Sequence, residues 1–192
     1  MKVNDSGMPE EKYWESLFNI ENIVSWVNPE MFKLPIIEVG GGYGTFTIPL
    51  AQELHTNIVS YDIEEEMIKR IETRYKEGKL HNVLLKKRDV VDLGFEEADE
   101  SVDAVLLFNI LHFDKRKMLL NEANRVISKN GKIIIIHWRK DIKTPRGPSL
   151  DIRPTPNDIL LDIKDMSLCL CNEIRLLEPY HWGMILEKRS YV

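Results

Sequence analysis

Glu38 is followed by glycines at positions 40, 41, 42 and 44, so the stretch EVGGGYG sets four glycines in five positions behind one acid. Glycine loses more freedom on folding than any other residue, and so dense a run is costly as ordinary structure. It implies that something comes close to the backbone. A phosphate-cradling P-loop would end in glycine, lysine and a hydroxyl, and that ending is absent. The dinucleotide fingerprint G-x-G-x-x-G fits Gly40 and Gly42 but meets Thr45 at its third position. A plain turn between a buried strand and a helix is the reading without chemistry. Asp62 closes the next apolar run, where a dinucleotide enzyme would use an acid.

Proton chemistry has three candidates. His112, His137 and His181 all stand near ends of predicted strands, and histidine is the side chain whose ordinary pKa suits a general base near neutrality. Each also reads as a hydrogen-bonded structural histidine. Arg146 and Arg153 lie in a proline-rich stretch and are candidates to hold an acidic acceptor. No set of metal ligands is assigned. Cys169 and Cys171, two apart on a strand, point the same way and make no disulfide framework, which suits a reduced cytoplasmic protein.

The elements that must position these residues alternate between two periods. Ile36–Val39 is a continuous apolar run, as expected of a strand buried on both faces. Thr56–Tyr61, Val83–Leu85, Val102–Phe108 and Lys132–His137 repeat the theme. Between them Glu64–Lys79 carries Met67, Ile68, Ile71 and Tyr75 on one helical face. Asp114 reads as the N-cap of a second helix, stopped by Asn130-Gly131, and Leu93–Glu100 as one short helix or a loop. A helix from Glu10 to Val27 precedes the first strand. Pro49 falls in the helix after the glycines, harmless in its first turn and a kink otherwise.

From Arg139 to Asn157 four prolines mark a long ordered loop. Thr155-Pro156 then opens a helix to about Leu168. Asn172–Leu177 and Trp182–Lys188 read as a terminal antiparallel hairpin. Strand–helix alternation of this kind means a doubly wound α/β fold with a mostly parallel sheet.

Composition narrows the partners. A chain of 192 residues with 43% hydrophobic and 30% charged residues suits one globular domain with a real core. A formal charge of -5 argues against a general nucleic-acid or anionic-membrane binder. The longest apolar run is too short to span a bilayer, and the first residues lack a signal peptide's apolar core.

Taken together, EVGGGYG resembles the E/D-x-G-x-G-x-G signature of class I S-adenosylmethionine-dependent methyltransferases, with Glu38, Gly40, Gly42 and Gly44 in register. Asp62 resembles the family's ribose-binding acid, and Ile63 the apolar residue against the adenine. Asp89 and Val90, with Leu93–Phe95 behind them, resemble the acid-x-x-x-apolar pattern near the adenine amino group. VDAVLLFNILHF resembles the fourth strand and its exit, with Asn109 at the strand end and His112 just beyond. The likeness covers about Pro35 to Trp138 and is nearest to small stand-alone methyltransferases of the quinone-biosynthesis C-methyltransferase type.

The resemblance implies a Rossmann-like fold, S-adenosylmethionine as cofactor and a small-molecule acceptor. The glycines would let the backbone approach the cofactor's methionine part, and the acid would suit its ammonium group. It divides the single domain into a helical segment over residues 1–34, a cofactor-binding core over 35–139, the loop over 140–157, and a helix and hairpin over 158–192. The N/D-P-P-Y/F motif of many base-methylating enzymes is replaced by NILH, which marks nucleic acid down. Two other functions compete: a methyltransferase-fold protein that binds without catalysing, and a nicotinamide oxidoreductase.

Overall fold

The structure, a computed structural model, describes residues 9–171 and 173–189. Five strands run parallel at its centre: β1 (Ile36–Val39), β2 (Ile58–Asp62), β3 (Val83–Lys87), β4 (Val102–Phe108) and β5 (Ile127–Trp138). Strands β6 (Leu168–Leu170), β7 (Arg175–Leu177) and β8 (His181–Lys188) complete the sheet. Their order is β3-β2-β1-β4-β5-β8-β6, with β7 also paired to β8, and β8 runs antiparallel to β5. Strand order reverses between β1 and β4. The loops leaving those two strands part there, which opens the crevice where α/β sheets hold ligands.

Period-two alternation sends neighbouring residues of one strand to opposite faces. Ile37, Val59, Val105 and Ile135 meet helix α6 (Arg116–Val126) and helix α7 (Pro156–Asp162) through Leu119, Ala123 and Ile159. Ile36, Ile58, Leu106 and Ile134 pack on the other face. Its helices are α2 (Ile20–Val27), α3 (Thr47–Glu53) and α4 (Glu65–Glu77), which bury Ile23, Leu50 and Ile71. Each fully buried Ile or Leu contributes about 1.5–3 kcal/mol. The central strands therefore form a stiff platform for whatever stands at their ends.

Several boundaries differ from the sequence expectations. The N-terminal helix is broken into α1 (Glu11–Glu15) and α2, because the Asn19 carboxamide accepts from the Asn22 amide and starts a new helix. Helix α6 begins at Arg116 rather than after an Asp114 cap. The Arg116 amide bonds Phe113 in a turn first, and no side chain caps the helix. It also ends at Val126. Ile127 already pairs with Val102, and Asn130 (φ 68) with Gly131 sits in an irregularity inside β5 instead of stopping the helix.

Pro49 is the third residue of α3, within the first turn, where no intrahelical N–H is needed. Thr155 caps α7 as expected, in a capping box with Asp158, but the helix stops at Asp162 and leaves Leu168 to β6. The short helix near residue 93 is α5 (Val90–Leu93), and 94–100 are not helical. Asn172, the expected start of the hairpin, lies outside the described residues, as do 1–8. Among the described residues no helix is long and apolar enough to cross a membrane.

Candidate functional site

Each glycine of the loop after β1 has its own local reason. Gly40, Gly42 and Gly44 hold φ of 72°, 55° and 77°, a left-handed backbone that side chains disfavour. Gly41 is excluded from bearing a side chain by contact instead. A Cβ there would lie 2.2 Å from Ser60 Oγ and 2.8 Å from Ile71 Cδ1. Gly41→Ala should therefore cost about 2–4 kcal/mol, from overpacking and from displacing the Ser60 hydroxyl. Urea denaturation measures it, and a loss below about 0.5 kcal/mol would contradict this packing account.

The two acids grip this loop from different sides. Glu38 is 2% exposed, and its Oε2 accepts from Ser60 Oγ at 3.0 Å and from Thr47 Oγ1. Its carboxylate is committed beneath the loop. Burial pushes the carboxyl up to about 7 against the opposing pull of those two hydroxyls. Asp62 is also buried, but its two oxygens accept from backbone: Oδ2 from the Gly42 amide at 3.0 Å, Oδ1 from the Glu64 amide at 2.9 Å. Burial raises its pKa as well, and the two amides offset part of that rise. Asp62 thus joins the end of β2 to the glycine loop. Ile63 beside it is half-buried.

At the end of β3, Asp89 caps α5, its Oδ1 accepting from Val91 at 3.1 Å and Asp92 at 3.4 Å. Val90 turns its side chain into the core on the α6 side. Asn109 ends β4 in a left-handed conformation (φ 57) and donates its backbone amide to Ile136. Among the described residues its side-chain oxygen and nitrogen are both buried without a hydrogen-bond partner, as is Thr45 Oγ1 in the glycine loop.

The three histidines are not one set. His137 is fully buried on the α6 and α7 face, its ring 5.5 Å from that of His112 and 6.2 Å from that of Trp182. His181 pairs with Trp138 in the β5–β8 register and faces the other way, stacked on Phe18 at 4.5 Å. Burial, then the His112 charge, holds His137 well below the ordinary histidine range, and burial, then Arg153, pushes His181 down to about 3. Both are neutral at physiological pH.

The arginines of the proline-rich loop also divide. Arg153 is 4% exposed, donating Nε to Pro148 O at 2.8 Å, Nη1 to Arg139 O at 2.7 Å and Nη2 to Arg146 O at 3.2 Å, with its guanidinium over the Trp138 ring. It organises the loop from within. Arg146 stands near the Tyr43 phenol, where its charge opposes the upward push of burial and of Glu11.

The other cover is α1, held by polar contacts that sequence reasoning did not name. Tyr43 Oη donates to Pro9 O at 2.7 Å, and Arg74 Nη1 spans Glu11, Glu15 and the Tyr43 carbonyl, clasping α1 over the loop. A glutamate four residues before another on α1 was its only signal. Trp182 was read as the start of the last strand, and the β5–β8 pairing sets it opposite His137. Open hollows of about 430 Å³ and 590 Å³ lie beside α2, lined by none of these site residues.

Comparison with known proteins agrees with this geometry. Residues 36–131 match the family model described as a methyltransferase domain. An uncharacterized methyltransferase-like protein of Schizosaccharomyces pombe is 26% identical over 126 residues, which is 64% of this chain and 46% of that protein. The chain thus spans less than half of that relative. A SAM-dependent methyltransferase of Aquifex aeolicus superposes with a TM-score of 0.79 at 19% identity, covering 94% of each chain. Magnesium protoporphyrin IX methyltransferase of Synechocystis, solved with SAM, gives 0.71 at 14% identity, covering 98% of this chain and 88% of that one. The chain belongs to the methyltransferase-domain family, and its fold is that of the class I S-adenosylmethionine-dependent methyltransferases.

Proposed function

We propose that the protein transfers a methyl group from S-adenosylmethionine to a small-molecule acceptor. One observation carries the reading: the Gly42 amide, in the loop after β1, donates to the Asp62 carboxylate at the end of β2, beside the β1–β4 point where strand order reverses. The residues fit the cofactor. Asp62 offers a buried carboxylate for ribose hydroxyls, and Gly40, the exposed glycine of the loop, lets a methionine moiety approach the backbone. Ile63, Asp89 and Val90 stand at the adenine end, while Asn109 and Thr45 present buried polar atoms with no partner among the described residues. Glu38 holds the loop's shape from below through Thr47 and Ser60.

Bound S-adenosylmethionine supplies an electrophilic methyl group on sulfur, taken by in-line displacement. The chain's own part is to hold donor and acceptor in line and to keep water out, and positioning alone contributes several kcal/mol. The α1 clasp and the 139–157 loop supply that exclusion. Two free cysteines, Cys169 and Cys171, suit a reducing cytoplasmic compartment.

S-adenosylmethionine and S-adenosylhomocysteine should each raise the melting temperature, since a ligand that binds only the native state stabilises it. A hundredfold excess over Kd gives about 2.7 kcal/mol, roughly 5–10 °C for a chain of this size. NAD should shift it little. Release of S-adenosylhomocysteine over a panel of small acceptors then separates an enzyme from a binder. A shift with NAD and none with either adenosyl compound would overturn the reading.

A further inference from the structure

A single helical turn, α5 (Val90–Leu93), is held at its two ends by consecutive residues of the chain. Asp89 takes its first amides, Oδ1 accepting from Val91 and Asp92. Arg88 takes the carbonyls at its other end. Its Nη2 donates to Leu93 O at 2.9 Å and its Nε to Gly94 O at 2.7 Å, while Nη1 reaches Glu96 Oε1 at 3.2 Å. A turn this short does not stand alone in water, because its nucleus is costly and its end groups lack intrahelical partners. Its shape therefore depends on this clamp. The backbone amide of Arg88 donates to Asp62 O at 2.9 Å, so the clamp starts beside the strand end that carries Asp62.

Beyond the turn the chain is fixed to α6 instead. Glu122 Oε1 accepts from the Phe95 amide at 2.8 Å, and a Cβ on Gly94 would lie 2.7 Å from that same oxygen. Arg125 donates to Glu122 and also to Glu97 O at 3.1 Å. The tie from the far end of α5 back to the β3 end is Arg88. What lies over that end follows from sheet order. Strands β3, β2 and β1 are neighbours, about 4.8 Å apart. With the cofactor's methionine part on the loop after β1 and its ribose on Asp62 at the end of β2, the remaining flat ring extends toward β3. Exposed Leu93, half-buried Ile63 and the Asp89 carboxylate stand there.

We propose that Arg88 is a positioning residue for the cofactor's adenine: by clamping α5 it aims the Asp89 carboxylate at the ring's amino group, and so sets the preference for an adenosyl ligand. The inference rests on the methyltransferase reading. Asp89 is aimed because the amides of Val91 and Asp92 orient its carboxylate, and those amides keep their places only while α5 does. An amino group donates to a carboxylate, whereas an oxo group in its place would turn lone pairs toward it. Arginine suits the task, since its planar fork serves two carbonyls at once.

The test compares S-adenosylhomocysteine with S-inosylhomocysteine, whose ring carries an oxo group in place of the amino group, by calorimetry on the full chain. Wild type should bind the adenosyl compound at least about tenfold tighter. Arg88→Ala should lose most of that ratio, weakening S-adenosylhomocysteine about tenfold and S-inosylhomocysteine by less than about twofold. A merely structural loss would weaken both alike. The Arg88 Nε–H resonance of wild type, identified by its absence from Arg88→Lys, should shift with S-adenosylhomocysteine and clearly less with S-inosylhomocysteine. That measurement decides if Arg88→Ala does not fold. Equal affinities in wild type, an unchanged ratio in Arg88→Ala, or a resonance that treats the two compounds alike would overturn the role of Arg88 while the methyltransferase reading stands. If wild type binds neither compound, both fall.

Discussion

Asp62→Ala should lower S-adenosylmethionine affinity at least about tenfold and weaken the fold before any ligand is present. The affinity loss follows from charge-assisted bonds to the ribose, worth roughly 1.5–3 kcal/mol, against 1.4 kcal/mol per decade. The loss of stability follows from geometry. Both carboxylate oxygens already accept backbone amides, from Gly42 and Glu64, and truncation leaves those groups without their acceptor. Each orphaned amide costs about 1–3 kcal/mol where water cannot replace the acceptor. Asp62→Asn keeps one acceptor oxygen and should fall between. Calorimetry reads the affinity and urea denaturation the stability. Unchanged affinity in a folded variant would show that the ribose lies elsewhere.

Glu38→Gln should stabilise the ligand-free protein at pH 8 and lose that advantage as the pH falls toward 4.5. Burial lifts the Glu38 pKa from 4.5 to about 7 in the folded state. Between those values the folded chain binds a proton that the unfolded chain has given up, so wild-type stability declines as the pH rises. Above pH 7 the whole penalty of a buried carboxylate is present, roughly 3 kcal/mol at 1.36 kcal/mol per pKa unit. Below 4.5 both states are protonated and the penalty is gone. Glutamine carries no charge, and its carbonyl can accept from Thr47 and Ser60 as Glu38 does. The melting temperature of the variant should exceed wild type by about 5–10 °C at pH 8 and match it near pH 4.5. A gap that does not change between pH 8 and pH 4.5 would mean that folding does not raise the Glu38 pKa.

The parts of the fold that read correctly from sequence are those where local pattern and tertiary demand coincide. Ile36–Val39 and Val102–Phe108 are unbroken apolar runs because both of their faces are covered, and the strands appear where they were expected. The glycine run was legible because each glycine answers a constraint that no other type meets, a left-handed backbone at 40, 42 and 44 and a close contact at 41. Asn130-Gly131 misled because the same left-handed turn serves a helix stop and an irregularity in a strand equally well, and the choice rests on Val102 across the sheet. The break in the N-terminal helix turned on a single carboxamide, that of Asn19.

Side-chain facing was the least legible part of the site. His137 and His181 are both strand-end histidines, yet the antiparallel register of β8 sends them to opposite faces. Arg153 points inward, as an acceptor-binding arginine would, but meets three loop carbonyls there. Glu38 was placed beside the glycines by its spacing, while its partners Thr47 and Ser60 come from a helix and from the next strand. Such partners are contributed by chain far away in sequence, and no local period records them.

The central claim is that the glycine loop and Asp62 together hold an adenosyl cofactor at the β1–β4 reversal. A crystal structure with S-adenosylhomocysteine tests it most directly. The account predicts the ribose hydroxyls on the Asp62 carboxylate, the homocysteine part against Gly40–Gly44, and residues of the 140–154 stretch bordering the space beyond the sulfur. Ligand bound away from Asp62, or a glycine loop that makes no contact with it, would contradict the account.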